Sequence, residues 1–136
     1  MVSMQSERVP ARTFRDLMAW QKAHQFVLDV YRITSGFPKQ ETFGLVNQMR
    51  RAAVSIAANI AEGFGKRGKA DKARFLNFAE GSIEESRYYL ILTEDLGYAQ
   101  TKSVMRELED VGRLLGTYTR AILASAAWKS PSHAQG

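Results

Sequence analysis

The sequence has no cysteine among its 136 residues, which excludes disulfide bonds, thiolate metal ligands and cysteine nucleophiles. Histidine is nearly absent as well, because His24 and His133 lie far apart and have no third histidine beside them. We therefore expect neither a histidine metal site nor a serine-histidine catalytic triad. No stretch approaches the roughly 20 apolar residues of a membrane span, and the N-terminus lacks the apolar segment of a signal peptide. These features predict a cytoplasmic protein with no membrane partner.

Apolar residues recur every three or four positions along most of the chain, whereas no segment shows the alternation of a strand. Thr13 and Asp16 match a capping box at the start of a first helix, predicted for about 13–35. Further helices are predicted at about 41–62, at about 70–97, and from a cap at Thr101 or Ser103 onwards. Glycine or proline in the connections after the first and second helices ends each of those helices. Short connections of this kind predict an all-α, antiparallel up-down-up-down four-helix bundle. The bundle is expected to occupy residues 13–125, between a flexible segment at 1–12 and a disordered tail at 126–136.

The second predicted helix is apolar on almost every side. Residues 52–61 read AAVSIAANIA, in which only Ser55 and Asn59 are polar. Each helix of an isolated four-helix bundle shows one side to water, so the apolar excess indicates a second contact, most simply with another copy of the chain. The alternative is that alanine is a good helix former and tolerates exposure.

The segment EGFGKRGKADKARF, residues 62–75, resembles a phosphate-binding P-loop. Gly63, Gly68 and Lys69 have the required spacing, but Ala70 stands where a Ser or Thr hydroxyl would reach magnesium, and a helix instead of a strand precedes the loop. The sequence therefore predicts a turn between helices and no nucleotide cofactor. Carboxylates elsewhere lack the Glu-x-x-His pairs of di-metal bundles and are interpreted as a solvated face. Neither a metal site nor an enzyme is predicted.

Charge is distributed unevenly along the chain, whose formal net charge is +5. Residues 1–74 carry 13 Lys and Arg against 6 Asp and Glu, whereas residues 75–110 carry 3 against 8. A basic half suggests an anionic partner, of which nucleic acid is the commonest. The acidic stretch could equally pair with the basic one in a neighbouring copy, and a solvated helical surface explains both without any partner.

The basic residues around the second turn are the candidate contacts to a nucleic acid. Glycines let a loop backbone approach a phosphate, and lysines bind phosphate without reading base sequence. Affinity of this kind falls steeply with salt. The alternative is that the cations only keep the loop soluble. The predicted contacts are Arg50, Lys66, Arg67, Lys69 and Lys72.

Four segments resemble a known protein family. They are FRDLMAWQKA (14–23), FPKQETFGLVNQMRRAAVSIAANIAEG (37–63), RFLNFAEGSIEE (74–85) and LGY (96–98). The family is named after proteins encoded in intervening sequences of 23S ribosomal RNA genes, and it is related to the accessory variability protein of diversity-generating retroelements. The resemblance covers about residues 13–124 and implies an all-α bundle that forms a homopentamer without recognised catalytic activity. The retroelement relative is a basic pentamer that binds nucleic acid and its reverse transcriptase.

The resemblance also marks motif positions with polar side chains in apolar surroundings. They are Arg51, Asn59, Glu62, Ser82 and Glu85. We expect them to form a hydrogen-bonded set between the second and third helices, because a buried polar group without a partner costs about 1–3 kcal/mol. Two hypotheses of function follow. The chain is either a non-enzymatic pentamer that binds RNA or DNA, or a scaffold or accessory subunit that contacts only other proteins.

Overall fold

The computed structural model describes the backbone of residues 10–134 and the side chains of residues 10–125. Within this part of the chain the α-helices are α1 (Met18–Thr34), α2 (Asn47–Gly65), α3 (Lys69–Asp95) and α4 (Lys102–Ala134). No strand occurs among the described residues, and the predicted all-α class is confirmed. The flexible segment predicted at 1–12 lies mostly outside the described residues. The tail predicted at 126–136 has no described side chain, and both stay predictions.

The first helix begins later than the sequence predicts. The capping box is present, since Thr13 Oγ1 accepts a hydrogen bond from the Arg15 amide at 3.1 Å and the Asp16 carboxylate accepts one from the Thr13 amide at 3.1 Å. It caps only a 3₁₀ turn at Phe14–Asp16, because Leu17 is extended (φ −79°, ψ 128°) and interrupts the helix before α1. The turn lets the Phe14 ring pack edge-on against Trp20, with centroids 5.1 Å apart.

The segment before α2 also departs from the predicted regular helix. A 3₁₀ turn at Lys39–Glu41 leads into a π-helical turn at Thr42–Val46, in which Gly44 is not helical (φ −111°, ψ −106°). The cause is a long-range contact. The Glu41 carboxylate accepts the Tyr98 hydroxyl at 2.7 Å, and it also accepts the Leu45 amide at 3.4 Å. The α1–α2 connection is thus tied to the α3–α4 connection, and α2 begins only at Asn47.

The helices pack around one apolar core. Fully buried side chains come from each of them, among them Phe26, Ile56, Leu90 and Leu115. Helices α2 and α3 run antiparallel, because positions that ascend along α2 meet positions that descend along α3. The contacts that establish this are Met49 with Thr93, Ser55 with Ser82, and Gly63 with Leu76. The short connections and these contacts agree with the predicted up-down-up-down order.

Candidate nucleic-acid interface

The glycine-containing segment that resembles a P-loop joins two helices. Helix α2 continues to Gly65, Lys66 is extended (φ −76°, ψ 151°), and Gly68 caps α3, which begins at Lys69. Gly63 is therefore inside α2, where it permits a close approach to α3. A Cβ atom on Gly63 would lie 3.2 Å from Leu76 Cδ2 and 3.4 Å from the Lys72 carbonyl oxygen. This glycine serves helix packing, and the connection itself spans residues 66–68.

Cationic side chains near this connection lie on aromatic rings. The Lys66 ammonium is 4.9 Å from the centroid of the Phe75 ring, and the Arg74 guanidinium carbon is 4.8 Å from the same ring. Arg74 is also 5.9 Å from the ring of Phe78, which meets Phe75 edge-on at 5.6 Å between centroids. Each exposed cation–π contact contributes about 0.5–1 kcal/mol. We name these four residues, Lys66, Arg74, Phe75 and Phe78, the cation–aromatic cluster.

Lys72 has a different environment from the rest of the basic segment. Its ammonium group donates to the Phe64 carbonyl at 2.7 Å and lies 3.4 Å from the Gly63 carbonyl, and it is 5.5 Å from the Phe64 ring. Burial lowers the pKa of Lys72. The last carbonyls of a helix have no partner within the helix and carry partial negative charge. Lys72 therefore caps the C-terminus of α2, and its charge faces the protein.

The remaining predicted contacts of the connection are more accessible. Arg67 and Lys69 are exposed and form no ion pair or hydrogen bond with another described residue. The ammonium of Lys66 is 3.9 Å from the Glu62 carboxylate, which places a weak ion pair beside its ring contact. Arg67 and Lys69 are thus the cations of this segment whose charge is open to an external anion.

Arg50 does not join the loop residues. It lies 16 positions before Lys66, which corresponds to about 24 Å along a helix that rises 1.5 Å per residue. Its Nε donates to Thr34 Oγ1 at 2.9 Å, and its guanidinium lies 4.3 Å from the Tyr31 ring centroid. Arg50 thereby joins the end of α1 to the start of α2. Its guanidinium also donates to the Tyr31 carbonyl at 3.3 Å.

Two residues of the predicted polar set, Asn59 and Ser82, are joined by Ser55, which is not a member of that set. Ser82 Oγ of α3 donates to Ser55 Oγ of α2 at 2.8 Å, and Asn59 Nδ2 donates to Ser55 Oγ at 3.0 Å and to the Ser55 carbonyl at 2.9 Å. Ser55 links the two helices but was not among the candidates assigned from the sequence. The signal that could have identified it is its spacing of four residues from Asn59 within an otherwise apolar helix.

The other three members of the predicted polar set are exposed and lie apart from Ser55. The Glu62 carboxylate faces Lys66, and Glu85 accepts the Tyr89 hydroxyl at 2.9 Å. Burial, together with that bond, raises the pKa of Tyr89. Arg51 forms no hydrogen bond with another described residue. The structure therefore assembles Asn59 and Ser82 into one contact between α2 and α3 and leaves Arg51, Glu62 and Glu85 on the surface.

Among the described residues, no group of three or more carboxylate or imidazole side chains is placed to hold a metal ion. None of the helices there combines the length and the hydropathy required to cross a membrane.

The fold and the cations between α2 and α3 define a small, basic, all-α protein of the four-helix-bundle class. The sequence profile of the 23S rRNA-intervening sequence protein family matches residues 15–117, and the chain belongs to this family. A crystal structure from Bacteroides thetaiotaomicron, described as a protein with unknown function from the S23 ribosomal protein family, is similar with a TM-score of 0.67. The two chains are 24% identical over 75% of this chain and 95% of the other. That likeness supports the fold alone. No curated protein gives a significant match.

Proposed function

We propose that this chain is a non-enzymatic protein that forms a homo-oligomer and binds RNA or DNA through the connection between α2 and α3. The observation that carries the proposal is the exposure of Arg67 and Lys69 beside the cation–aromatic cluster. Phosphate groups are bound by accessible Lys and Arg side chains, and release of condensed counterions supplies the free energy. Aromatic rings among the cations are typical of surfaces that bind nucleic acids.

The balance of charge around the connection favours an anion. Residues 62–74 contain five Lys and Arg against Glu62 and Asp71. Asp71 pairs with Arg74 at 3.1 Å, and Glu62 approaches Lys66 at 3.9 Å. The two acids thus offset cations of the cluster, whereas Arg67 and Lys69 pair with no acid among the described residues.

Self-association is supported by apolar side chains exposed on α2 and α3. Val54 is 41% exposed, while Tyr88 and Ile91 are 57% and 47% exposed. Contact with further copies would remove this surface from water, and each square ångström of apolar surface so buried contributes about 25 cal/mol. The subunit number of five is taken from the family resemblance given by the sequence.

The proposal is tested by replacing Lys66, Arg67 and Lys69 together with alanine. Lys72 is kept because it caps α2. The matched control replaces Lys39, Lys102 and Arg106, which are exposed cations near the opposite end of α2 and α3, so that both variants lose the same charge. Binding of a structured RNA and of duplex DNA is measured by fluorescence anisotropy over a range of salt concentrations.

We expect the loop variant to bind at least about tenfold more weakly. The slope of its log affinity against log salt should become less negative by about 2–3, because each lost phosphate contact removes about 0.7–0.9 from the slope. The control should bind like the parent. If the loop variant binds as tightly as the control variant and the parent, with unchanged circular dichroism, the connection is excluded as the site.

A scaffold without nucleic-acid contact is the second candidate. The feature that favours it is the exposed ring of Tyr88 on α3, about one turn after Glu84 and Glu85. A parent protein that binds neither nucleic acid at low salt, and that captures one protein partner reproducibly, would support the scaffold.

A further inference from the structure

Phe78 is an exposed aromatic residue at the edge of the cation–aromatic cluster. Phe78 is 47% exposed, whereas the neighbouring Ala79 is fully buried. Exposing a phenyl ring to water costs free energy in proportion to its apolar surface. A ring in this position is therefore available to a partner that can cover it.

The two rings of the cluster differ in accessibility. Phe75 is half-buried and has the Lys66 ammonium and the Arg74 guanidinium near its ring. Phe78 contacts Phe75 edge-on and has only Arg74 near it, at 5.9 Å. Phe75 thus holds the two cations in place, whereas much of the Phe78 ring remains open.

The chemistry of this surface matches an unpaired nucleotide. Nucleobases stack on aromatic rings and on guanidinium planes in proteins that bind single strands, while Lys and Arg neutralise the adjoining phosphates. Bases within a duplex are stacked on each other and present only their edges and the phosphate backbone. A phenyl ring with a guanidinium one helical turn away, and accessible cations beyond it, offers contacts that only an unpaired strand can fully use.

Helix α3 provides an internal comparison. Tyr88 is even more exposed than Phe78, at 57%. It lies four residues after Glu84 and three after Glu85, positions that share its side of a helix. Among the described residues no Lys or Arg lies over the Tyr88 ring, and the neighbouring Arg87 is paired with Glu84 and Glu109. Of these two exposed rings on α3, Phe78 is the one placed among cations.

From these contacts we infer that the cation–aromatic cluster binds unpaired nucleotides, with a base stacked on Phe78 beside Arg74 and phosphates of the same strand bound by the basic segment 66–74. The inference rests on the proposed function and specifies its ligand. Single-stranded segments, such as loops and ends of a folded RNA, are preferred over duplex of the same length.

The test compares Phe78→Leu with Tyr88→Leu. Leucine removes the ring but keeps an apolar side chain of good helix propensity, and neither substitution changes charge. Three labelled probes of equal length are titrated at one salt concentration: a single-stranded RNA, the same RNA as a duplex, and an abasic strand that has the phosphates without the bases. Light scattering follows the mass of every variant.

We expect Phe78→Leu to weaken binding of the single-stranded RNA by at least about fivefold, the lower limit for one stacked base. Binding of the duplex and of the abasic strand should stay within about twofold, because phosphate contacts persist. Tyr88→Leu should leave the affinity for each probe unchanged.

Other outcomes overturn the inference. If Phe78→Leu binds the single strand as tightly as the parent, the ring does not stack on a base. If its affinity for all three probes falls equally, or if its mass falls, Phe78 serves folding or subunit contact. If the parent binds single strand and duplex equally, with Phe78→Leu unchanged, the inference fails while the proposed function stands. Absence of binding by the parent to every probe rejects both.

Discussion

Lys72 donates to the carbonyls of Gly63 and Phe64, and so its charge serves the end of α2. Lys69 lies three residues earlier and forms no such bond with another described residue. The two lysines belong to the same basic segment, but their side chains leave α3 in different directions. Substitutions in this loop consequently test either stability or binding, according to the residue chosen.

The first prediction separates these effects by equilibrium unfolding in urea. Lys72→Met keeps most of the aliphatic side chain but removes the donor. We expect it to lower the free energy of unfolding by about 1–2 kcal/mol, near the lower end for a hydrogen bond from a charged group, because Lys72 is only partly buried. Lys69→Met should leave that free energy unchanged. The assignment of Lys72 as a cap is wrong if the two variants unfold at the same urea concentration.

The sequence predicts which residues of the site are basic, but not what each cation contacts. Lys66 and Lys72 meet Phe75 and the α2 carbonyls only because α3 folds back against α2. Such contacts depend on the rotation of both helices about their axes, and a change of one position turns a side chain by 100°. The Ser55–Ser82 bond between α2 and α3 depends on helix rotation in the same way.

At the scale of elements, the apolar periodicity was sufficient to predict the helices, and the family motifs agreed with it. The irregular turns at Lys39–Glu41 and Thr42–Val46 were not predictable from local sequence, because Glu41 accepts a hydrogen bond from Tyr98 in the α3–α4 connection. Local propensity reports neighbours along the chain, whereas this bond joins residues 57 positions apart. Helix boundaries that depend on tertiary contacts are therefore the part of the fold that the apolar periodicity does not predict.

The contact between α1 and α4 contains a pair of carboxyl groups. Asp29 is buried on α1, where Arg32 and Gln25 contact it, and Glu107 of α4 hydrogen-bonds to it. Burial, followed by the hydrogen bond and the charge of Asp29, raises the pKa of Glu107 to about 7, although Lys22 and Arg32 act in the opposite direction. Burial alone would raise the pKa of Asp29, but its hydrogen bonds with Glu107, Arg32 and Gln25 hold it below the usual value. Folded Glu107 therefore keeps its proton up to about neutral pH, whereas Asp29 stays ionised beside it.

The second prediction concerns the pH dependence of this helix contact. Between the ordinary glutamate pKa of 4.5 and about 7, folded Glu107 keeps a proton that the unfolded chain has lost. The free energy of unfolding should therefore fall as pH rises through this window and level off above it. Glu107→Gln retains a hydrogen-bond donor to Asp29 but does not titrate. The decrease in its free energy of unfolding across this window should therefore be about 1 kcal/mol smaller than that of the parent.

Urea unfolding at a series of pH values measures the effect. Glu109→Gln is the control, because Glu109 is an exposed residue of α4 that pairs with Arg87, and its loss should leave the dependence between pH 4.5 and about 7 as in the parent. Parallel curves for Glu107→Gln and the parent across this window would show that the pair does not titrate there.

At the scale of the whole molecule, the exposed apolar surface of α2 is the feature from which we expect self-association. Val54 is exposed on α2, and Ala58 follows it one turn later on the same side. An exposed apolar stripe on a helix is typical of a surface that another protein covers. We expect the charge pattern to add to this, since acidic residues of α3 would attract basic residues of α2 in a neighbouring copy.

The third prediction is that light scattering gives a mass several times 15.3 kDa for the parent, with five copies expected from the family resemblance. Val54→Asp should reduce the mass to that of one chain, because a carboxylate at a packed interface loses its hydration. Leu28→Asp on α1, at a position of similar exposure, should retain the parent mass. A parent mass of one chain would reject self-association, and dissociation by both variants would reject α2 as its seam.

The close contact at Gly63 lowers the conformational free energy that ligand binding at the neighbouring connection would require. Both ends of the basic connection are anchored, because Gly63 packs against Leu76 and Phe75 while Lys72 holds the adjacent carbonyls. The backbone between these anchors is already restricted before any ligand arrives. A partner that binds there has to immobilise only the side chains of residues such as Arg67 and Lys69, at about 0.5–1.5 kcal/mol each. Preorganisation by a glycine packed inside a helix can thus raise affinity without the glycine touching the ligand.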